Sequence, residues 1–231
     1  MIDWHCHILP NMDDGSRDVA ESISLINMQR EQGIGTIVAT PHFYANDESC
    51  EDFLLRRQRS FELLKNQLPD ECPRVLLGAE VRYYQGISRL SNLKDLRVEN
   101  SKILLLEMPD TKWSESMVRE LVEISSFGGI RLVLAHVERY MPIQDVKIRR
   151  RLLESGILMQ VNASFFTEFF TRHKALSHLK NGHIHFLGSD CHNTTSRPPN
   201  IGKAYEIICK KQGEIYLSQM NDFGHSKLFT V

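Results

Sequence analysis

Two histidines one residue apart sit close to the start of the sequence, in Ile2-Asp3-Trp4-His5-Cys6-His7. In an extended segment residues i and i+2 share a face. His5 and His7 would therefore point the same way and could grip one metal ion through two imidazole nitrogens, with Cys6 facing the other side. Asp13, Asp14 and Gly15 follow after a short apolar loop and bring oxygen donors close by. An isolated His-x-His is more often a pair of hydrogen-bonded strand residues than a metal site. The remainder of the chain reverses that judgement, because one short apolar run after another closes on a metal-binding residue. In chain order the runs lead into His5 and His7, His42, Glu80, Glu107, His136, the amide Asn162, and finally Asp190 with His192. Strands that merely end at polar residues would close on a mixture of Ser, Thr, Asn, Lys and Gly, not on a near-exclusive His, Asp and Glu set.

With Asp14 added, the candidate ligands are His5, His7, Asp14, His42, Glu80, Glu107, His136, Asp190 and His192. That is more than one zinc ion takes, which is about four. It suits a cluster of two or three ions with a carboxylate bridging two of them. Imidazole and carboxylate without thiolate point to Mn, Fe or Zn over ions bound purely by oxygen. Clustered divalent ions suit phosphoester hydrolysis, since they lower the pKa of a bound water to ~7 and neutralise phosphoryl charge. Arginine matches phosphate oxygens with its planar fork. Arg139, three residues after His136, and Arg197, five after His192, lie on loops leaving ligand-bearing strands.

The elements that must position these residues alternate regularly. Strands are expected at 2–7, 35–40, 74–80, 102–107, 130–136, 157–162 and 184–190 from their short, β-branched apolar runs. Helices are expected at 16–33, with Ser16 as N-cap and Gly33 as the stop, and at 48–68, 114–127, 146–154, 164–179 and 201–211. Seven strands separated by helices mean a parallel sheet with right-handed crossovers, covered on both faces. Periodicity alone does not decide between an open sheet and a closed barrel. In either form the carboxyl ends of the strands share one rim, where active sites are built.

Composition narrows the class. With 231 residues, 28 basic against 29 acidic and a net charge of −1, nothing attracts the chain to nucleic acid or to an anionic membrane. Polar residues stand where a signal sequence would be apolar, and no apolar run approaches the ~20 residues of a membrane span. The five cysteines, Cys6, Cys50, Cys72, Cys191 and Cys209, are odd in number and lack zinc-finger spacing, which suits reduced thiols in a cytoplasm. No linker or repeat divides the sequence, so residues 1–231 are expected to form one domain.

Taken together, the motifs resemble the polymerase-and-histidinol-phosphatase (PHP) superfamily, and within it the CpsB-like bacterial protein-tyrosine phosphatases. The matching stretches are Asp3-x-His5-x-His7 with Asp13-Asp14-Gly15, Thr40-Pro41-His42, Gly78-x-Glu80, Leu106-Glu107, Ala135-His136-x-Glu138-Arg139-Tyr140, Gln160-x-Asn162, and Ser189-Asp190-x-His192-Asn193 with Arg197-Pro198-Pro199. The resemblance implies a distorted seven-stranded (β/α) barrel with a trinuclear site, usually supported by manganese, at the carboxyl ends of the strands. It implies that His5, His7, Glu80 and Asp190 hold one ion, that Glu80, Glu107 and His136 hold a second with Glu80 bridging, and that Asp14, His42 and His192 hold a third. It further implies that a metal-bound hydroxide attacks phosphorus while Arg139 and Arg197 grip the phosphoryl oxygens. The implied substrate is phosphotyrosine on a tyrosine autokinase controlling capsule or exopolysaccharide assembly. Two features depart from the family pattern. Phe43 stands where many relatives have a second histidine, and residues 163–170 (Ala-Ser-Phe-Phe-Thr-Glu-Phe-Phe) replace a glycine-containing loop. At helical spacing at least half of Phe165, Phe166, Phe169 and Phe170 are expected in the core, and the rest could wall a phosphotyrosine ring.

Three rival readings remain. A PHP phosphatase could instead act on histidinol phosphate or a sugar phosphate. Metals could merely hold the fold, although a structural site needs only one closed coordination shell. Finally, Cys191-x5-Arg197 has the spacing of the cysteine-based tyrosine phosphatases. The interval contains no glycine, and Pro198-Pro199 follows where a helix should continue, so that spacing is read as coincidence.

Overall fold

The computed structural model describes residues 1–228. In chain order it contains β1 (Ile2–Cys6), α1 (Val19–Glu31), β2 (Thr36–Ala39), β3 (His42–Phe43), α2 (Cys50–Lys65), β4 (Arg74–Leu77), β5 (Glu80–Arg82), β6 (Ile103–Glu107), α3 (Glu115–Ser126), β7 (Arg131–Leu134), α4 (Val146–Glu154), β8 (Leu158–Asn162), α5 (Ser164–Thr167), α6 (Arg172–Lys180), β9 (Phe186–Gly188), α7 (Ile201–Gln212) and α8 (Glu214–Leu228). Every strand pairing is parallel.

Instead of one set of seven uninterrupted strands, the strands form two sheets: β1-β2-β4, and the six-stranded β3-β5-β6-β7-β8-β9. Two of the expected strands each split where they pass from one sheet to the other. The second breaks at Thr40-Pro41, because proline has no N–H to give to a ladder. The third breaks beside it, at Gly78-Ala79, and the chain keeps partial register there through Gly78 N–H to Ala39 O at 2.8 Å and Glu80 N–H to Pro41 O at 3.0 Å. The far edges also meet. His7 N–H donates to Cys191 O at 2.9 Å, Asp190 N–H to His5 O at 2.7 Å, and Cys6 bridges Cys191. The result is a curled parallel sheet closed into a distorted barrel.

Inside the barrel each strand grades from apolar to polar along its length. Val38, Leu76, Ile103, Leu105, Leu158 and Phe186 pack together at the amino-terminal end. The same strand faces continue into His42, Glu80, Glu107, Asn162 and Asp190 at the carboxyl end, as the period of two requires. A register irregularity between Asp3 and Cys6 lets Trp4 join the apolar cluster while His5 and His7 join the polar end. In the segment from residue 214 onward, left open by the sequence, Glu214–Leu228 form α8. Its Leu228 enters the interior cluster, and Gly224 packs on Trp4, whose Cζ2 lies 3.0 Å from where a Cβ would stand. Residues 229–231 lie outside the described part.

Two helix expectations change. The N-cap of α1 is Asp18, whose carboxylate accepts Glu21 N–H at 2.9 Å, while the Ser16 hydroxyl is engaged by Asp18 O and Ser22. The expected helix at 164–179 is two, α5 and α6, and the Thr171 hydroxyl turns the chain between them by donating to Phe165 O at 2.8 Å. Phe165 and Phe166 are buried, whereas Phe169 and Phe170 are 80% and 95% exposed. Among the described residues no helix is long and apolar enough to cross a membrane.

Candidate metal centre

All nine candidate ligands converge at the carboxyl rim. Glu80, at the start of β5, lies at the centre: its Oε2 stands 3.1 Å from His5 Nε2, 3.3 Å from His7 Nε2 and 3.1 Å from His42 Nδ1, and its Oε1 2.8 Å from His136 Nε2. Asp190 Oδ1 lies 3.5 Å from His7 Nε2, and Asp14 Oδ1 lies 3.3 Å from His192 Nε2 and 3.5 Å from His42 Nε2. Among the nine, four sets of donors approach within 4.8 Å of one another: His7, Asp14, His42 and His192; His5, His7 and Asp190; His5, Glu80 and His136; His42, Glu80 and Glu107; a fifth set, Asp3, Cys6 and Cys191, contains none of the nine. Each expected ligand belongs to at least one set. The sets overlap at His5, His7, His42 and Glu80; each imidazole nitrogen has one lone pair and would serve one ion, whereas the Glu80 carboxylate could serve two. Glu80 Oε2, His42 Nδ1 and His192 Nε2 are buried without a hydrogen-bond partner. Buried donors and acceptors are almost always satisfied, and facing lone pairs on nitrogen and oxygen are what a shared cation fits.

A second ring of residues holds the donors in place. Asp13 Oδ2 accepts from His7 Nδ1 at 2.8 Å and from His42 N–H at 2.9 Å, while its Oδ1 accepts Gly15 N–H at 2.9 Å. This leaves His7 Nε2 for the site. Gln160 Oε1 accepts His136 N–H at 2.6 Å and lies 3.3 Å from His5 Nδ1; its amide nitrogen donates to Asn162 Oδ1, and Asn162 in turn donates to Asp190 Oδ2 at 2.8 Å. Asp3 accepts from Ser189 N–H and hydroxyl, tying the strand before His5 to the strand before Asp190. Two glycines allow the close approach: a Cβ at Gly15 would stand 2.3 Å from His7 O, and one at Gly188 would stand 2.5 Å from His5 Cβ. His136 and Asp190 themselves have φ of 29° and 53°, a left-handed backbone that side chains rarely adopt and that is concentrated at functional sites.

The electrostatics follow from burial working against mutual attraction. Burial opposes charge on His5, but Glu80 and Asp190 outweigh it and raise its pKa. Burial likewise opposes ionisation of Glu80 and Asp190, and the histidines, His5 foremost, hold both well below the usual carboxylate range. For Asp3 burial outweighs the bonds from Ser189 and the His5 N–H and the attraction of His5, and pushes it up to about 6. His192 is pulled down to about 4 by burial and by His7.

Arg139 and Arg197 meet on a single oxygen. Each donates through Nη2 to Asp190 Oδ2, Arg197 at 2.8 Å. Both remain about 40% exposed, so their remaining N–H groups face the opening. The loop that returns Arg197 is folded by Asn193, whose Oδ1 accepts the N–H groups of Thr195, Ser196 and Arg197. Cys191 is fully buried, with Gln29 Nε2 3.6 Å from its Sγ, so the Cys-x5-Arg spacing places no thiol at the opening. Cys6 also faces away from the site, its thiol 3.4 Å from Val38 O.

Sequence reasoning left several contributors without a role. Arg82 stands two residues after Glu80 on the same strand, and its Nη1 lies 2.7 Å from Glu107 Oε2; its i+2 spacing from a ligand was the available signal. Gly188 bears the same relation to Asp190. Tyr44 stacks beside His42 with centroids 5.3 Å apart, and burial, followed by the carboxylates of Glu107 and Glu80, pushes its phenol pKa up.

Comparison with known proteins is consistent with this geometry. The family model described as "Capsular polysaccharide synthesis, CpsB/CapC" matches residues 1–227. The tyrosine-protein phosphatase CpsB of Streptococcus agalactiae is 31% identical over 95% of this chain and 94% of its own length. The tyrosine-protein phosphatase YwqE of Bacillus subtilis is 32% identical over 92% of this chain and 85% of its own. A solved structure from work on YwqE and Streptococcus pneumoniae CpsB, described there as metal-dependent tyrosine phosphatases, superposes with a TM-score of 0.81 at 27% identity, covering 99% of this chain and 94% of that one. A histidinol phosphate phosphatase from Lactococcus lactis shares the fold, with a TM-score of 0.55 at 17% identity over 90% and 92% of the two chains.

Proposed function

The chain belongs to the CpsB/CapC family, and we propose that it is a metal-dependent protein-tyrosine phosphatase whose whole length acts as one catalytic unit. The observation that carries this reading is the juxtaposition of nine inward-facing metal donors, several of them orphaned, with two arginines that converge on one carboxylate oxygen at the opening.

His5, His7, Asp14, His42, Glu80, Glu107, His136, Asp190 and His192 would hold the ions, with Glu80 shared between them, and the donor count suits three. An imidazole and carboxylate shell suits manganese, with iron or zinc as alternatives. When bound, such ions supply positive charge to the phosphoryl oxygens and acidity to a water. The chain supplies the rest. Arg139 and Arg197 turn their free N–H groups to the phosphoryl oxygens, and Asn162 and both arginines keep Asp190 oriented while they do so. Asp13 keeps His7 and the His42 backbone in place. A tyrosine oxygen leaves readily, since its conjugate acid has a pKa of about 10, so the site needs no strong buried acid to release it. The substrate is a phosphotyrosine-bearing protein, and the family's link to capsule synthesis points to a bacterial tyrosine autokinase in the cytoplasm.

The test is hydrolysis of a phosphotyrosine peptide beside a phosphoserine peptide and histidinol phosphate, with Mn²⁺ and again after chelation. Phosphotyrosine turnover that vanishes on chelation and returns with Mn²⁺ is expected. Cleavage of histidinol phosphate alone would keep the metal chemistry and remove the proposed substrate. Turnover of phosphotyrosine that survives complete metal removal would remove the mechanism.

A further inference from the structure

We propose that Tyr44 is the surface against which the site receives the aromatic ring of its substrate, so that this residue selects aryl over alkyl phosphates. The inference rests on the phosphatase reading and adds to it a residue that sets specificity.

Tyr44 directly follows β3, two residues after His42, and its ring lies beside the His42 imidazole with the planes 30° apart. Two aromatic side chains among the described residues pair with the rings of candidate ligand histidines, Tyr44 and Tyr140. Tyr140 is fully buried and donates its hydroxyl to Ala135 O, so it has no face to offer a ligand. Tyr44 is 38% exposed and stands within electrostatic reach of Glu107, Glu80, Asp14 and Arg82, all on the carboxyl rim.

Arg197 and the His42 imidazole that Tyr44 covers approach the same carboxylate, Asp14. Arg197 Nη1 is 4.0 Å from one oxygen of Asp14, and His42 Nε2 is 3.5 Å from the other. One exposed carboxylate thus separates the phosphate-binding side from the His42 and Tyr44 side. A phosphoryl group drawn to the arginines leaves its ester oxygen and ring pointing outward, past Asp14 and towards Tyr44. Aromatic rings pair at centroid separations of about 4.5–7 Å, offset or edge-on, a range that an entering phenyl ring reaches across this short rim. Phe43, the family departure beside Tyr44, is buried and cannot share the role.

The competing account is that Tyr44 only buttresses His42. Calorimetric titration of metal-loaded protein with phenylphosphonate and methylphosphonate separates the two, using Tyr44→Phe and Tyr44→Leu. Wild type should bind phenylphosphonate more tightly than methylphosphonate. Tyr44→Phe should keep that preference, and Tyr44→Leu should lose about three- to tenfold in phenylphosphonate affinity, the range of an aromatic contact. Methylphosphonate affinity and metal content should be unchanged, and KM for a phosphotyrosine peptide should rise while kcat holds. Equal losses for both phosphonates, or loss of metal, would make Tyr44 a support for His42 and overturn the proposal. So would an unchanged phenyl preference in Tyr44→Leu, or its absence in wild type that hydrolyses phosphotyrosine. A Tyr44-dependent phenyl preference in protein that hydrolyses no phosphotyrosine would uphold this inference and refute the phosphatase reading instead.

Discussion

Gly188→Ala tests how tightly the barrel is drawn around its candidate metal ligands. The added Cβ would stand 2.5 Å from His5 Cβ, 2.7 Å from Gln160 Nε2 and 3.1 Å from His5 N. Carbon atoms settle about 3.5–4.0 Å apart, so His5 would have to retreat by about 1 Å. Its own N–H is anchored to Asp3 and its carbonyl to Asp190 N–H, which leaves the strand little freedom to yield. Overpacking of this kind costs about 1–3 kcal/mol. In a chain of this size that lowers Tm by about 2–4 °C per kcal/mol, or roughly 2–12 °C altogether. The larger effect falls on the metal. Ligand distances tolerate only about 0.2 Å, and disturbing the groups that orient ligands weakens metal affinity by about 10–100-fold. Gln160, the other neighbour, also orients His136, so two histidines move together. Affinity for Mn²⁺ is measured by competition with a chelator, and Tm with and without the ion. Gly128→Ala is the control, because nothing lies within 4 Å of its added Cβ. If Gly188→Ala keeps wild-type affinity and the wild-type rise in Tm on adding Mn²⁺, the contact between these strands does not constrain the ligands and the reasoning fails.

Further expectations concern other parts of the molecule. Asp13→Ala should weaken metal binding by about 10–100-fold through loss of the His7 orientation and should destabilise the metal-free protein by about 1–3 kcal/mol, because the His42 and Gly15 N–H groups lose their acceptor; chelator competition and chemical denaturation measure the two effects, and wild-type values in both would refute it. Cys191→Ser should retain turnover and metal content, whereas near-total loss of turnover with the metals still bound would restore a thiol mechanism. His185 is held neutral, its Nδ1 accepting Met159 N–H at 3.0 Å, and burial, then His183, pull its pKa from 6.5 to about 4. Between those values the unfolded chain binds a proton that the folded chain refuses, so this group destabilises the fold progressively as pH falls from 6.5 and adds no more below 4. The whole window is worth about 3–4 kcal/mol. Denaturation of metal-free wild type and His185→Gln should therefore give the shallower pH dependence in the variant, and parallel curves would contradict the assignment.

The clustering of the candidate ligands was legible in the sequence because the relevant signal is local: an apolar run long enough for a strand, closed by a side chain with a lone pair. His42 and Glu80 followed that rule even though their strands break just before them, since the chain keeps its direction across Thr40-Pro41 and Gly78-Ala79. The breaks were harder to see. Pro41 signalled one, but the other depends on which strand lies alongside. The supporting residues depend wholly on neighbours far off in sequence. Nothing near Gln160 indicates that its amide oxygen meets both His136 and His5, and nothing near Gly188 reveals the proximity of His5. Ser16 and Asp18 are equally good capping residues, and Asp18 prevails because the Ser16 hydroxyl is already engaged by Asp18 O and Ser22. The split of residues 164–179 into two helices rests on the Thr171 hydroxyl bonding back to Phe165, a contact that helical periodicity does not register.

The meeting of β1 with the segment after β9 sets an order on biosynthesis. Asp3 and Ser189, 186 positions apart, share a buried hydrogen bond, and the donors they flank form one side of the centre. At about 5–20 residues per second, the ribosome adds Asp190 and His192 some ten to forty seconds after His5 and His7. During that interval the first strand has no partner on one edge, and its two imidazoles are available to any passing divalent ion without Asp190 and His192, which complete the site. Contacts this distant also slow folding after release. Loading with the full complement of ions thus has to wait until residue 192 has been added, and a nascent or truncated product ending before residue 189 would hold metal too weakly to acquire phosphatase activity.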